Sequence, residues 1–100
     1  MTASPTLTVE QAAEAHAQHI VLGDSAAMHQ DCITQVRQEP PGLYAQLGAT
    51  TFARYTVLGH ARIGLQHVFK IRYFGTTTVT VHHRLGAVEG QWRVLESARV

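Results

Sequence analysis

From Val68 to Val94 the chain alternates apolar and polar positions with few breaks. Phe69, Ile71 and Tyr73 alternate with Val68, Lys70 and Arg72. Val79, Val81, His83 and Leu85 alternate with Thr78, Thr80, His82 and Arg84, and Trp92 and Val94 with Gln91 and Arg93. Successive strand side chains point to opposite faces, so this period of two predicts strands with one buried and one wetter face. The pattern places strands at about Leu65 to Phe74, Thr76 to Leu85 and Gln91 to Arg99, turned by Gly75 and by Gly86 to Gly90. An earlier β-forming stretch opens at Phe52 and holds Tyr55, Val57 and Leu58, with a bend or bulge near Gly59. Short links predict antiparallel pairing as a meander.

The first third follows a different period. Val9, Ala12, Ala13, His16, Ala17, Ile20 and Val21 recur at helical spacing, behind a capping box at Thr8-Val9-Glu10-Gln11. Gly23 enters the left-handed conformation without steric cost and stops that helix. Asp24 then caps a shorter one running through Ala26, Ala27 and Met28 to Cys32. Residues 33–39 read either as an extension of this helix or as a short edge strand, and Pro40-Pro41-Gly42 ends whichever forms. Leu43 to Leu47 is suited to one or two helical turns. Helices first and strands afterwards predict an α+β domain with helices on one face of an antiparallel sheet. The 100 residues are read as one domain, with 1–7 as a flexible tail.

Composition narrows the setting. The single cysteine, Cys32, forbids an intrachain disulfide and a cysteine metal site, and fits a reducing, cytoplasmic location. Met1 to Thr8 lacks the basic and apolar segments of a secretory signal, and no run approaches 18 apolar residues, so no membrane association is expected. Charge is lopsided: residues 1–50 carry a net −4 and residues 51–100 a net +5. The predicted helices are acidic and the predicted strands basic, which could give an anion-attracting sheet face.

A long first helix, Gly23-Asp24 opening a second, and a final strand carrying Gly90-Gln91-Trp92-Arg93-Val94 resemble the NTF2-like superfamily, whose members include nuclear transport factor 2 and the steroid isomerases. The resemblance runs from about Thr8 to Val100, in a chain shorter than usual for that family. It implies a curved sheet and helices closing a cone with an apolar pocket, in which acid/base residues project from the concave face.

Strand parity names the lining. If Phe69, Ile71, Val79, Val81, Trp92 and Val94 face inward, so do Tyr73, His83 and Glu96. Burial on such a face pushes carboxyls up and imidazoles down in pKa. His83 and Glu96 are thus candidates for proton transfer to and from a carbon acid, with Tyr73 or Tyr55 donating to a developing oxyanion. Tyr55, Trp92, Phe69, Ile71 and Val81 would line the pocket around a small, largely apolar ligand. No Asp follows Asp31, so the aspartate base of a steroid isomerase has no counterpart on the sheet. Without a catalytic signature, the sequence leaves open whether the chain is an enzyme.

The outer sheet face is expected to carry Lys70, Arg72, Thr78, Thr80, His82, Arg84, Arg93, Leu95 and Arg99, with Val68 and Phe74 among them. Arginine outnumbers lysine seven to one, as interfaces favour, so a homodimer through this face is predicted. Nucleic acid is not, because only Phe74 offers a stacking platform there. His16-x-x-His19 lacks the helical zinc spacing and its glutamate, and His82 and His83 point to opposite faces, so no metal is expected. With no glycine-rich phosphate loop, no cofactor is expected either. The alternative to a ligand pocket is a non-catalytic dimeric interaction module whose cone is filled by its own side chains.

Overall fold

Helix α1, Val9–Leu22, begins where the capping box predicts it. The Thr8 hydroxyl accepts from the Gln11 amide at 3.1 Å and the Gln11 side chain accepts from the Thr8 amide at 3.0 Å. Gly23 ends it with φ of 69°. Asp24 caps α2, Ser25–Gln30, by accepting from the Ala27 amide. Cys32 lies just past that helix in a parallel bridge to Val94, and the Ile33 amide donates to the Val94 carbonyl. The computed structural model describes residues 8–33 and 42–100. The tail at 1–7 and all but Ile33 of the ambiguous segment 33–39 lie outside the described residues. Leu43–Ala49 forms α3.

Four strands follow: β1 Phe52–Ile63, β2 Gln66–Gly75, β3 Val79–Val88 and β4 Gln91–Arg99. They pair antiparallel in the order β1-β2-β3-β4, the predicted meander. The third strand runs three residues beyond the expected Leu85, because the β3–β4 turn needs only Glu89 and Gly90, both at positive φ. Positive φ at both central residues suits the right-handed twist of the flanking strands. β1 carries register shifts between Phe52 and Arg54 and between Val57 and Gly59, the second at the predicted bulge.

One sheet face is roofed by α1, α2 and α3. From α1 come Val9, Ala13, His16, Ala17 and Ile20; from β2 and β3 come Phe69, Ile71, Tyr73, Val79, Val81, His83 and Leu85. Complete burial of a side chain such as Ile20 or Ile71 contributes about 1.5–3 kcal/mol. Of the residues on the opposite face of β2, β3 and β4, only Gly86 is buried. The architecture is therefore α+β, a four-stranded antiparallel sheet with helices on one side. No helix among the described residues is long and apolar enough to cross a membrane.

The inward parity expected along β4 holds only to Val94. Val94 pairs with Leu85 and Glu96 with Arg84, so Leu95 is a surplus residue in a β-bulge. Beyond it, Ser97 opposes His83 and Arg99 opposes Val81. The bulge reverses the side on which even-numbered residues fall. Glu96 is consequently exposed on the outer face beside Arg84, and Arg99 belongs to the inner side, where it borders a groove with Leu43, Leu47 and Val79. Both placements correct the expectation from simple alternation.

A buried histidine–tyrosine chain as candidate functional site

The position expected for Glu96 is taken by Ser97, and the inner face gathers a different set of polar groups. His83 Nε2 lies 2.8 Å from the Tyr73 hydroxyl, and its Nδ1 lies 2.8 Å from Ser97 Oγ and 3.3 Å from the Tyr44 hydroxyl. The Tyr44 oxygen is 2.7 Å from Ser97 Oγ and 2.8 Å from His16 Nε2. His16 Nδ1 is 2.8 Å from Asp31 Oδ2, which also takes His19 Nδ1 at 2.6 Å. A continuous chain of hydrogen bonds thus runs from the sheet centre, through α3 and α1, to the end of α2.

Chemistry fixes where its protons sit. Burial would raise the Asp31 carboxyl, but the bonds from His16 and His19 together hold it below its ordinary value, so it is a carboxylate and only accepts. Burial lowers His16, with Asp31 opposing in part, and lowers His83 far more; both rings are neutral. His16 must then donate from Nδ1 to Asp31, which leaves Nε2 to accept the Tyr44 proton. Tyr44 has no second proton, so Ser97 donates to it. Ser97 is then spent, so His83 Nδ1 donates to Ser97, and His83 Nε2 accepts from Tyr73. Every link from Tyr73 onwards points toward Asp31, and no other assignment gives each short contact one proton. Burial raises both tyrosines, Tyr44 well above its ordinary range, so they remain protonated donors.

Around Tyr73 and His83 the described side chains pack closely. Tyr73, His83, Ile71 and Val81 have no surface that water can reach, so no water-sized void adjoins them. Among the described residues, no buried side-chain nitrogen or oxygen lacks a partner. A general base must come within hydrogen-bond reach of the proton it abstracts, and His83 has both nitrogens occupied by protein.

The remaining predicted residues scatter. Phe69, Ile71 and Val81 are core, and His60 stacks on Phe69 with ring centroids 4.1 Å apart. Trp92 is half-buried, edge-on to His67. Tyr55 donates to Glu14 at 3.4 Å and borders an open groove of about 440 Å³ with Gln18, Val21 and Leu22. The structure therefore joins His83 with Tyr73, sets Tyr55 opposite Tyr73 on β1 but outside the hydrogen-bonded chain, and separates His83 from Glu96 and Trp92. Asp31, Tyr44 and Ser97 carry no candidate role in the sequence, where His16 enters only with His19 as a metal pair that lacks the zinc spacing. The one available signal was His16, a polar residue on the buried stripe of α1.

Three of these residues also offer convergent metal donors: one ligand atom each from His16, His19 and Asp31, all within 4.8 Å of one another. Histidine spacing along the sequence gives no such set, because Asp31 joins His16 and His19 only through the fold.

Fold and site define a small α+β protein with a saturated polar core. No family model and no curated protein sequence matches the chain. Among solved structures it is similar to the solution structure of a SEC-C motif containing protein from Rhodopseudomonas palustris, with a TM-score of 0.67 and 15% identity. The alignment covers 93% of this chain and 79% of that one. At that identity the likeness is one of fold.

Proposed function

We propose that this chain is a small, cytoplasmic NTF2-like module whose cone is filled by its own side chains and which acts as a non-catalytic homodimer through the outer sheet face. The observation that supports this is the interior: among the described residues, every buried polar side-chain atom on the helix-covered side of the sheet has a protein partner. Such a network fixes the relative positions of α1, α2, α3 and the sheet, and rigidity of this kind suits a scaffold that presents a surface. The outer face supplies that surface. Val68, Phe74 and Leu95 sit there half-buried among Arg54, Arg72 and Arg84, with the Arg54 guanidinium 4.1 Å from the Phe74 ring centre. Arginine and aromatic side chains at the centre of a patch are what interfaces favour. Sedimentation at micromolar concentration tests it: a dimer is expected, converted to monomer by Phe74→Glu. A monomeric parent chain would overturn the proposal.

A second reading, binding or acid/base conversion of a small apolar molecule, has one observation in its favour. The groove beside Tyr55 is large enough for a modest ligand and lies outside the saturated chain. Binding of an apolar fluorophore that is abolished by Tyr55→Ala would favour it over the filled module.

A further inference from the structure

We propose that His16 Nδ1, His19 Nδ1 and Asp31 Oδ2 form a binding site for a first-row divalent transition metal, with zinc as the natural probe. Residues three apart on a helix are neighbours on one face, so α1 presents both imidazoles side by side. Asp31 reaches them from the end of α2, and its backbone is pinned on both sides. Its amide donates to the Ala27 carbonyl at 3.1 Å, and its carbonyl accepts from the Val94 amide at 2.7 Å. Two imidazoles and one carboxylate are a donor set that zinc and its neighbours accept.

The surroundings are those of a metal site. A metal-ligating histidine commonly has its second nitrogen held by an outer partner that fixes the ring. The Tyr44 hydroxyl does this for His16, whose ring is 1% exposed. The other two ligands leave an entry path, with side chains 31% exposed at His19 and 27% at Asp31. The present nitrogen–oxygen distances of 2.8 and 2.6 Å suit shared protons. Tetrahedral zinc with bonds of about 2.0–2.2 Å needs donors roughly 3.3–3.6 Å apart, so the carboxylate has to withdraw by roughly 0.5–1 Å. Three protein ligands leave a fourth position for water or an exchangeable ligand, the open form of a zinc site.

The other histidine pair does not qualify. His60 Nε2 is 2.8 Å from His67 Nδ1, but Glu10 approaches His60 on the opposite nitrogen, Nδ1, at 3.8 Å. Those three donors diverge.

Coordination has a signature beyond affinity. When Nδ1 of His16 binds the ion, the ring proton must reside on Nε2, the reverse of the metal-free arrangement. The test uses tag-free, chelator-treated protein titrated with Zn²⁺ by calorimetry and with Co²⁺ by visible absorption. One ion per chain is expected, with a four-coordinate cobalt spectrum and the protonated nitrogen of His16 moving from Nδ1 to Nε2 in nitrogen-15 spectra. His19→Ala should weaken zinc by about 100-fold or more, since loss of an outer-shell partner alone costs 10–100-fold. His60→Ala should leave binding unchanged. No saturable uptake below roughly 0.1 mM, an affinity of only about −5 kcal/mol, would overturn the proposal, as would binding that survives His19→Ala. Should that variant lose its fold, Asp31→Asn and the His16 nitrogen shifts decide the matter.

Discussion

Tyr44→Phe removes one oxygen atom and breaks the polar chain at its middle. The Tyr44 hydroxyl is the hydrogen-bond partner of His16 Nε2 and the acceptor of the Ser97 proton. Its loss leaves the buried His16 Nε2 without its donor and the half-buried Ser97 hydroxyl without its acceptor. Each buried group left unpaired costs about 1–3 kcal/mol, partly offset because the phenol itself no longer has to be desolvated. A net loss of about 2–4 kcal/mol follows, or a fall in Tm of roughly 10–25 °C for a domain of this size. Tyr73→Phe is the control, because Tyr73 ends the chain and its removal strands only His83 Nε2; about 1–2 kcal/mol is expected. Urea denaturation with an unchanged m-value measures both. If Tyr44→Phe costs no more than Tyr73→Phe, the placement of Tyr44 as the central link of the chain is refuted.

Stability should fall on acidification below neutrality. His16 and His83 hold protons less tightly in the folded chain than at their ordinary value of 6.5, so the unfolded chain takes up protons that the folded chain refuses. The loss approaches about 1.4 kcal/mol per histidine per pH unit between 6.5 and the folded value of each ring, so it continues further for His83 than for His16. Urea midpoints measured in chelator at pH 7.5 and 5.5 should differ accordingly, and a flat profile would refute the neutral rings. At the alkaline end, Tyr44 and Tyr73 keep their protons above the ordinary 10.0, so stability is lost as pH rises past that value. Gly75→Ala should destabilise by about 1–3 kcal/mol or more by thermal melting, because a Cβ there would meet the Thr51 carbonyl oxygen at 2.0 Å and Phe52 Cα at 2.8 Å. Gly86→Ala should cost less, since its closest obstacle is the mobile end of Leu95. Glu96→Gln should change the stability measured by urea denaturation by less than about 0.5 kcal/mol, as for other exposed positions.

Much of this fold was legible because local rules and tertiary packing agree. The Thr8 box, the Gly23 stop and the Asp24 cap mark both first helices, and alternation along β2 and β3 identifies Phe69, Ile71, Tyr73, Val79, Val81 and His83 as inward. The same alternation failed on β4, since a bulge shifts phase without altering residue type and Leu95 is as strand-compatible as its neighbours. Alternation alone therefore puts Glu96 in the core and Ser97 outside it. The rest of the polar chain was illegible for another reason. Tyr44 meets His16 and Ser97 only through tertiary placement of α3, 28 residues from one and 53 from the other. No spacing rule connects them.

The surplus residue on β4 leaves two ways of laying down the chain's last five positions. In the competing, unbulged alignment, Glu96 would slide in beside His83 and Ser97 would turn out to water. Entombing an ionised carboxylate in that dry interior is costly, so the charge acts as a gatekeeper against slippage although it touches no site. An apolar replacement such as Glu96→Val would lift the gate. A change that looks harmless on an exposed position should then yield two populations of the final strand, visible as doubled backbone resonances for residues 95–100.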